Sequence, residues 1–361
     1  MAGAQPADHP TPDGPTPDGP SVLFRVSDPG HDLAGVRLGQ DVRIPGDRLG
    51  FHRDGDGWEL LIARPPVHRM EYQLELAYPD GGFASVLDPA NPQQAPGAFG
   101  PKSVLEFPGY QAPEWLSQPQ TPARTGSFDV PVAALDAAIP VQLWAPEDAS
   151  DDEPLPLLVA HDGPEYDALA HLTRYLAAGI ENGQLPRLRA ALLGPGDRDN
   201  WYSANPRYAR ALARAALPAI AGKISVTRRI GMGASLGALA MLHAYTRYPD
   251  AFDGLFLQSG SFFTPRFDAG ERRFANYPRV TRFVRTLPKH LPAHLPAEAI
   301  PVVATCGVIE ENVDNNRLLI QTLREHGYPA ELHEVPDMHN YTAWRDSWDP
   351  YLAQLITKVS E

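Results

Sequence analysis

An α/β fold with an all-β unit in front of it is the architecture this 361-residue chain predicts, and three observations lead there. From about residue 126 onward, apolar runs of strand length alternate with runs of helix length, the pattern of a mostly parallel sheet with helices on both faces. Between Ser21 and about Phe107 the runs are short, β-like and separated by turn residues. Between those that read as strand and helix near residue 235 stands Gly233-Ala234-Ser235-Leu236-Gly237, a turn too tight for ordinary residues.

Residues 1–20 repeat Thr-Pro-Asp-Gly-Pro at 11–15 and 16–20; polar, proline-rich and without core formers, they read as a disordered tail. Next come Val22-Leu23-Phe24-Arg25-Val26, Trp58-Glu59-Leu60-Leu61-Ile62 and Tyr72-Gln73-Leu74-Glu75-Leu76, with turns at Asp54-Gly55-Asp56-Gly57 and Asp80-Gly81-Gly82. These predict a β-sandwich of immunoglobulin-like build over residues 21–118. The proline-rich stretch from Pro108 supplies a linker, 119–125, to the α/β unit over 126–361.

In that unit strands are expected near Gly126–Val132 and Ile139–Trp144, then at Leu155–Ala160, an apolar run suited to a buried parallel strand. A helix near Leu169–Asn182, a strand at Arg189–Leu193 and a helix over Arg207–Ile224 precede the Gly-rich turn. Strands at Gly254–Leu257 and Pro301–Thr305, a helix at Asn316–Gly327 and a strand at Ala330–Val335 follow. The segment Phe263–Ala299 interrupts the alternation and reads equally as part of a lid or as a surface insertion.

The formal net charge of -13 and the absence of basic runs argue against nucleic acid and anionic membranes as partners. One cysteine, Cys306, leaves no internal disulfide and reads as a buried strand residue in a reducing compartment. Met1–Pro20 has neither a basic nor an apolar signal-peptide region, and no run is long enough to span a bilayer, so the expected location is the cytoplasm.

Gly-x-Ser-x-Gly between a strand and a helix is the nucleophile elbow of the α/β-hydrolases. The turn lifts the Ser235 hydroxyl above the sheet edge and places the backbone N–H of Leu236 at a helix N-terminus, where it can stabilise an oxyanion. Serine needs a base to take its proton, and the base needs a third group to orient it. In this fold class the chain order is serine, acid, histidine. Of the downstream histidines, His243 and His326 belong to helices, His290 and His294 fit no helix face, and His333 lies within the last strand. His339 alone falls in the loop between the last strand and the last helix, and is the expected base. For the acid, Glu310 is nearest the end of the preceding strand, with Asp314 next and Glu311 last; acids near Asp314 could equally serve a helix N-terminus. A second oxyanion donor is expected near Gly163 in His161-Asp162-Gly163-Pro164-Glu165-Tyr166. His161, Asp162 and Glu165 lack a metal-binding partner motif, and neither metal nor cofactor is expected.

The chain resembles the enterochelin (ferric enterobactin) esterase family, within the esterase D-like α/β-hydrolases, from about Ser21 to its C-terminus. The resemblance is carried by Gly233–Gly237, Gln258-Ser259-Gly260-Ser261-Phe262, Cys306-Gly307-Val308-Ile309-Glu310, Pro336-Asp337-Met338-His339-Asn340 followed by Trp344-Arg345, and, in the first unit, Asp88-Pro89-Ala90-Asn91-Pro92 through Pro108-Gly109-Tyr110. It implies a cytoplasmic enzyme that hydrolyses the ester bonds of a cyclic catecholate siderophore and so releases iron. It also implies substrate contacts from Arg198, Trp201, Tyr202, Phe262 and Trp344. The Arg198–Pro206 loop departs from the family pattern by carrying Trp201-Tyr202, and the 263–299 insert is longer.

The sequence therefore predicts a two-domain serine esterase in which Ser235 attacks, His339 moves the proton, and Glu310 or Asp314 orients His339, with Leu236 and Gly163 at the oxyanion. Its expected partner is a small-molecule ester, an iron-siderophore among the possibilities. A feruloyl or acetyl carbohydrate esterase, an acyltransferase, and a non-catalytic binding protein on the same scaffold are the alternatives.

Overall fold

The structure, a computed structural model, describes residues 19–40, 44–291 and 299–361. Residues 1–18 of the expected tail, and His294 with its neighbours in the insert, lie outside the described residues. The chain divides into two compact units, Met1–Tyr110 and Gln111–Glu361.

The first unit is all antiparallel. One sheet has the order Ser21–Ser27, Gly57–Ala63, His52–Asp54, and a second has Gly35–Gln40, Arg69–Ala77, Lys102–Glu106, Gln94–Ala95, with Phe83–Val86 also on Arg69–Ala77. Alternate residues go inward, as the pleat requires: Val22 and Phe24 of one sheet and Met70, Tyr72 and Leu74 of the other are buried. Phe24 packs edge to face on Tyr72 at 5.1 Å. The Asp88–Pro92 motif is structural: buried Asp88 accepts from Tyr72 Oη at 2.7 Å, and Asn91 Nδ2 donates to Val104 O at 2.7 Å.

Among the described residues the second unit holds eight strands: β1 (Ala123–Val132), β2 (Ala137–Pro146), β3 (Leu155–His161), β4 (Arg189–Leu193), β5 (Val226–Ala234), β6 (Gly254–Gln258), β7 (Val302–Gly307) and β8 (Ala330–Val335). Their order is β1-β2-β4-β3-β5-β6-β7-β8; β2 runs antiparallel to both of its neighbours, β1 and β4, and the other pairs are parallel. This is the α/β sheet the sequence predicts. β3, β4 and β6 are buried along their whole length because helices cover both faces. The helices are α1 (Gly163–Ala170), α2 (Leu172–Glu181), α3 (Arg198–Tyr202), α4 (Pro206–Ala211), α5 (Leu217–Ala221), α6 (Leu236–Arg247), α7 (Tyr277–Thr286), α8 (Val313–Glu325), α9 (Tyr341–Asp346) and α10 (Trp348–Ser360).

Two predicted helices differ in detail. The one expected over 169–182 is divided at His171, which takes a left-handed φ of 60°. The one expected over 207–224 becomes α4 and α5 joined by a π-helical turn at Leu212–Ala216. Pro218 has no N–H to donate and its ring crowds the preceding turn, so a wider turn absorbs the mismatch. Trp115, from the proline-rich stretch, stacks on Trp348 at 6.3 Å and meets Tyr175 edge-on, so that stretch supplies core to the second unit. Among the described residues no helix is long and apolar enough to cross a membrane.

The topology fixes where a ligand can sit. The chain goes from β3 outward to β4, then returns across β3 to β5 and continues to the other edge. The carboxyl ends of β3 and β5 therefore flank the point where the winding reverses, where open α/β sheets form their crevice. The elbow follows β5 and the His161-Asp162-Gly163 turn follows β3.

Candidate active site

Ser235 joins β5 to α6 with φ 54° and ψ -123°, a conformation L-residues rarely adopt. Surrounding structure enforces it: Ser235 N–H donates to Gln258 O at 2.9 Å and Ser261 N–H donates to Ser235 O at 3.1 Å. A Cβ on Gly233 would come within 2.6 Å of the Gly237 carbonyl carbon, so the residue two before the serine has to be glycine. Gly237 is less constrained, its missing Cβ standing 3.2 Å from His161 Cβ. Ser235 Oγ is 3.0 Å from Ser261 Oγ.

His339 lies in the loop between β8 and α9, and Glu310 in the loop between β7 and α8. His339 Nδ1 is 2.8 Å from Glu310 Oε2; the His339 side chain is 33% exposed and that of Glu310 only 2%. A carboxylate facing Nδ1 selects the tautomer that carries its proton there, which makes Nε2 the nitrogen with the accepting lone pair. The other carboxylate oxygen, Oε1, accepts from Gly307 N–H at 2.7 Å and from Ser259 Oγ–H at 2.7 Å. The two remaining candidate acids are placed elsewhere: Asp314 pairs with Arg317 at 3.0 Å on the surface of α8, and Glu311 is exposed.

Three of the other downstream histidines are engaged apart from this pair, and His290 is exposed. His243 is buried edge-on to Phe283, His333 stacks on Tyr351, and His326 Nδ1 lies 2.8 Å from Thr322 O. His161 is fully buried. Its Nδ1–H donates to Gly237 O at 3.0 Å and its Nε2 accepts from Tyr208 Oη–H at 2.8 Å, which ties the β3 turn to the elbow helix. Asp162 takes Nε and Nη2 of Arg198 on its carboxylate, at 2.8–3.0 Å. Gly163 opens α1 against the backbone of Leu192, so close that no Cβ fits. Glu165 is half-buried, its Oε2 without a hydrogen-bond partner among the described residues, and burial raises its pKa.

The four aromatic side chains expected at the substrate are packed among core neighbours. Tyr202 and Phe262 are fully buried and Trp201 nearly so. Tyr202 stacks on His161 at 4.4 Å, and Trp201 stacks on Tyr208 at 5.4 Å. Trp344, 7% exposed, sets its ring edge-on to His339 at 5.1 Å and donates Nε1–H to Ser259 Oγ at 2.9 Å. Aromatic surface of this kind wins more by packing than by waiting for a ligand. Of the five expected substrate contacts Arg198 is the most exposed, with 35% of its side chain accessible. The described part of the insert is tied down at two points: Asn315 Nδ2 donates to Asp268 at 2.8 Å, and Arg279 Nε donates to Ser203 O at 2.6 Å.

Burial lowers the pKa of His161 to about 4 and of His243 to about 3, from an ordinary 6.5. Both are neutral when folded, whereas the unfolded chain binds protons at both sites below 6.5. Their contribution to stability is therefore intact above pH 6.5 and is lost as pH falls toward 4. Melting temperatures should drop across that window, and His243→Leu should shallow the drop. A drop unchanged by the substitution would show that other groups set the acid limb.

Residues 132–355 match the Esterase family, described as "Putative esterase". The chain belongs to that family. Among solved structures, this esterase is similar to a ferric enterobactin esterase from Salmonella typhimurium, at 19% identity and a TM-score of 0.75 over 94% of each chain. It is similar too to the enterobactin esterase of Shigella flexneri in the presence of enterobactin, at 19% identity and a TM-score of 0.72 over 94% of this chain and 92% of that one. A ferulic acid esterase gives 17% identity and a TM-score of 0.54, covering 66% of this esterase and 98% of the other chain. Among curated proteins nothing matches.

Proposed function

We propose that this esterase cleaves the ester bonds of a catecholate, enterobactin-like siderophore through an acyl-enzyme on Ser235. The observation that carries the substrate class is coverage. The enterobactin esterases align along 92% or more of both chains, whereas the ferulic acid esterase takes up a share smaller than the Gln111–Glu361 unit alone. The all-β unit, which we read as the immunoglobulin-like sandwich of that family, accompanies the enterobactin esterases. The one cysteine, Cys306, buried in β7, suits a reducing cytoplasm.

The chemistry follows from the atoms present. His339 Nε2 takes the Ser235 proton as Oγ attacks the ester carbonyl, and returns it to the departing alkoxide as the acyl-enzyme forms. Water, deprotonated by the same nitrogen, then releases the acid. Glu310 keeps the imidazole tautomer and stabilises the imidazolium of each transition state. The N–H of Leu236, and a backbone N–H near Gly163, face the developing oxyanion. Arg198, fixed by Asp162, contacts the substrate.

Chromatography of products from iron-free and ferric trilactone siderophores, beside feruloyl and short aryl esters, tests this reading. Linear and monomeric catecholate-serine products, with kcat/KM for the trilactone well above that for the feruloyl ester, are the expected result. Turnover of the aryl and feruloyl esters with the trilactone left intact would overturn the substrate assignment.

A further inference from the structure

The turn after β6 is bonded to the nucleophile at one end and to the acid at the other. Ser261 gives its N–H to Ser235 O at 3.1 Å, and its Oγ stands 3.0 Å from Ser235 Oγ. Ser259 Oγ stands 2.7 Å from Glu310 Oε1 and 2.9 Å from Trp344 Nε1. An indole N–H can only donate, so the Ser259 oxygen accepts from Trp344 and its single proton is directed to the carboxylate. With Oε1 occupied by Ser259 and Gly307, Oε2 is the oxygen left to His339.

The residue between the serines is held as firmly. Asn316 accepts from Gly260 N–H at 3.1 Å and donates to Gly260 O at 2.9 Å, while Asn312 Nδ2 donates to Ser259 O at 3.1 Å. Ser259 has a left-handed φ of 47°, a strained conformation that persists only where its surroundings over-determine it. All four polar residues are buried. A fully satisfied buried network of this kind specifies one geometry.

We propose that Ser259-Gly260-Ser261 is a common mount for the nucleophile and the acid. Ser261 touches the reacting oxygen, its Oγ 3.0 Å from Ser235 Oγ: when the Ser235 proton passes to His339, as the serine-esterase reading requires, the Ser261 hydroxyl donates to a lone pair of that oxygen and fixes the direction of attack. Ser259 acts through Glu310 as a positioning residue, and Trp344 sets the direction of its hydrogen bond. The proposal rests on the serine-esterase reading.

The test uses the full chain and the variants S261A, S261T, S259A and W344F. It measures kcat and KM on an aryl ester, melting temperature, and the rate of labelling by a fluorophosphonate probe with the labelled peptide identified by mass spectrometry. S261A keeps its backbone bond to Ser235 and should lose about tenfold in kcat at constant KM, as misplaced reacting groups do. Labelling should slow by the same factor, and S261T should recover most of both. S259A and W344F should also lose kcat at constant KM, W344F serving where S259A fails to fold. Wild-type kcat in both S261A and W344F, or losses confined to KM, would overturn the mount. Label recovered on a residue other than Ser235 would overturn the serine-esterase reading itself, and the mount with it.

Discussion

Alanine at Ser235, or at His339, is expected to lower ester turnover by a factor on the order of 10⁴ or more, because removing one member disables the unit. The elbow serine is held in place by its backbone bonds to Gln258 and Ser261. His339 offers an Nε2 lone pair because Glu310 occupies Nδ1. Neither variant should disturb folding. Alanine keeps the same backbone requirement at 235, and the His339 side chain is 33% exposed. Turnover measured beside the melting temperature checks this, and near-normal rates from either folded variant would refute the triad.

Glu310→Gln should cost about 10³–10⁴ in kcat with little change in KM, the size of effect an inverted histidine tautomer produces in serine hydrolases. Ser259 and Gly307 both donate to Oε1, so a glutamine keeps its carbonyl oxygen there and turns its amide nitrogen toward His339. His339 Nδ1 must then accept, its proton moves to Nε2, and the base is blocked. Asp314→Asn is the contrasting variant. It removes half of an exposed pair with Arg317 and should change stability by less than about 0.5 kcal/mol and turnover hardly at all. A large kcat loss in Asp314→Asn, with Glu310→Gln active, would exchange the two assignments.

How much of this could be read in the sequence depended on whether a position was set by the local chain or by distant neighbours. The elbow was legible because the Gly233 contact is made four residues away, by Gly237. The placement of His339 and Glu310 was legible because strand order assigns each loop to a sheet edge. β4 and β8 fall at the expected residues, 189–193 and 330–335, where compact apolar runs leave little choice of register. The aromatic residues were not legible. Trp201, Tyr202, Phe262 and Trp344 stand near site motifs, but whether a ring faces a ligand or a neighbour is decided in part by residues such as His161 and Ser259 that lie far away in the chain. The same holds for Ser259 and Ser261. Two serines around a glycine look like any polar turn until Asn312, Asn316 and Trp344 are seen around them.

The left-handed backbone at Ser235 has a consequence for selection. A non-glycine residue held there forgoes about 1–3 kcal/mol, while glycine in its place would sacrifice only about 0.5–1 kcal/mol in chain entropy. Glycine at 235 is thus favoured by thermodynamics and excluded by chemistry. Any screen that enriches for resistance to heat alone will drift toward inactivation at this codon, and evolving this enzyme for durability requires that turnover be selected in the same round.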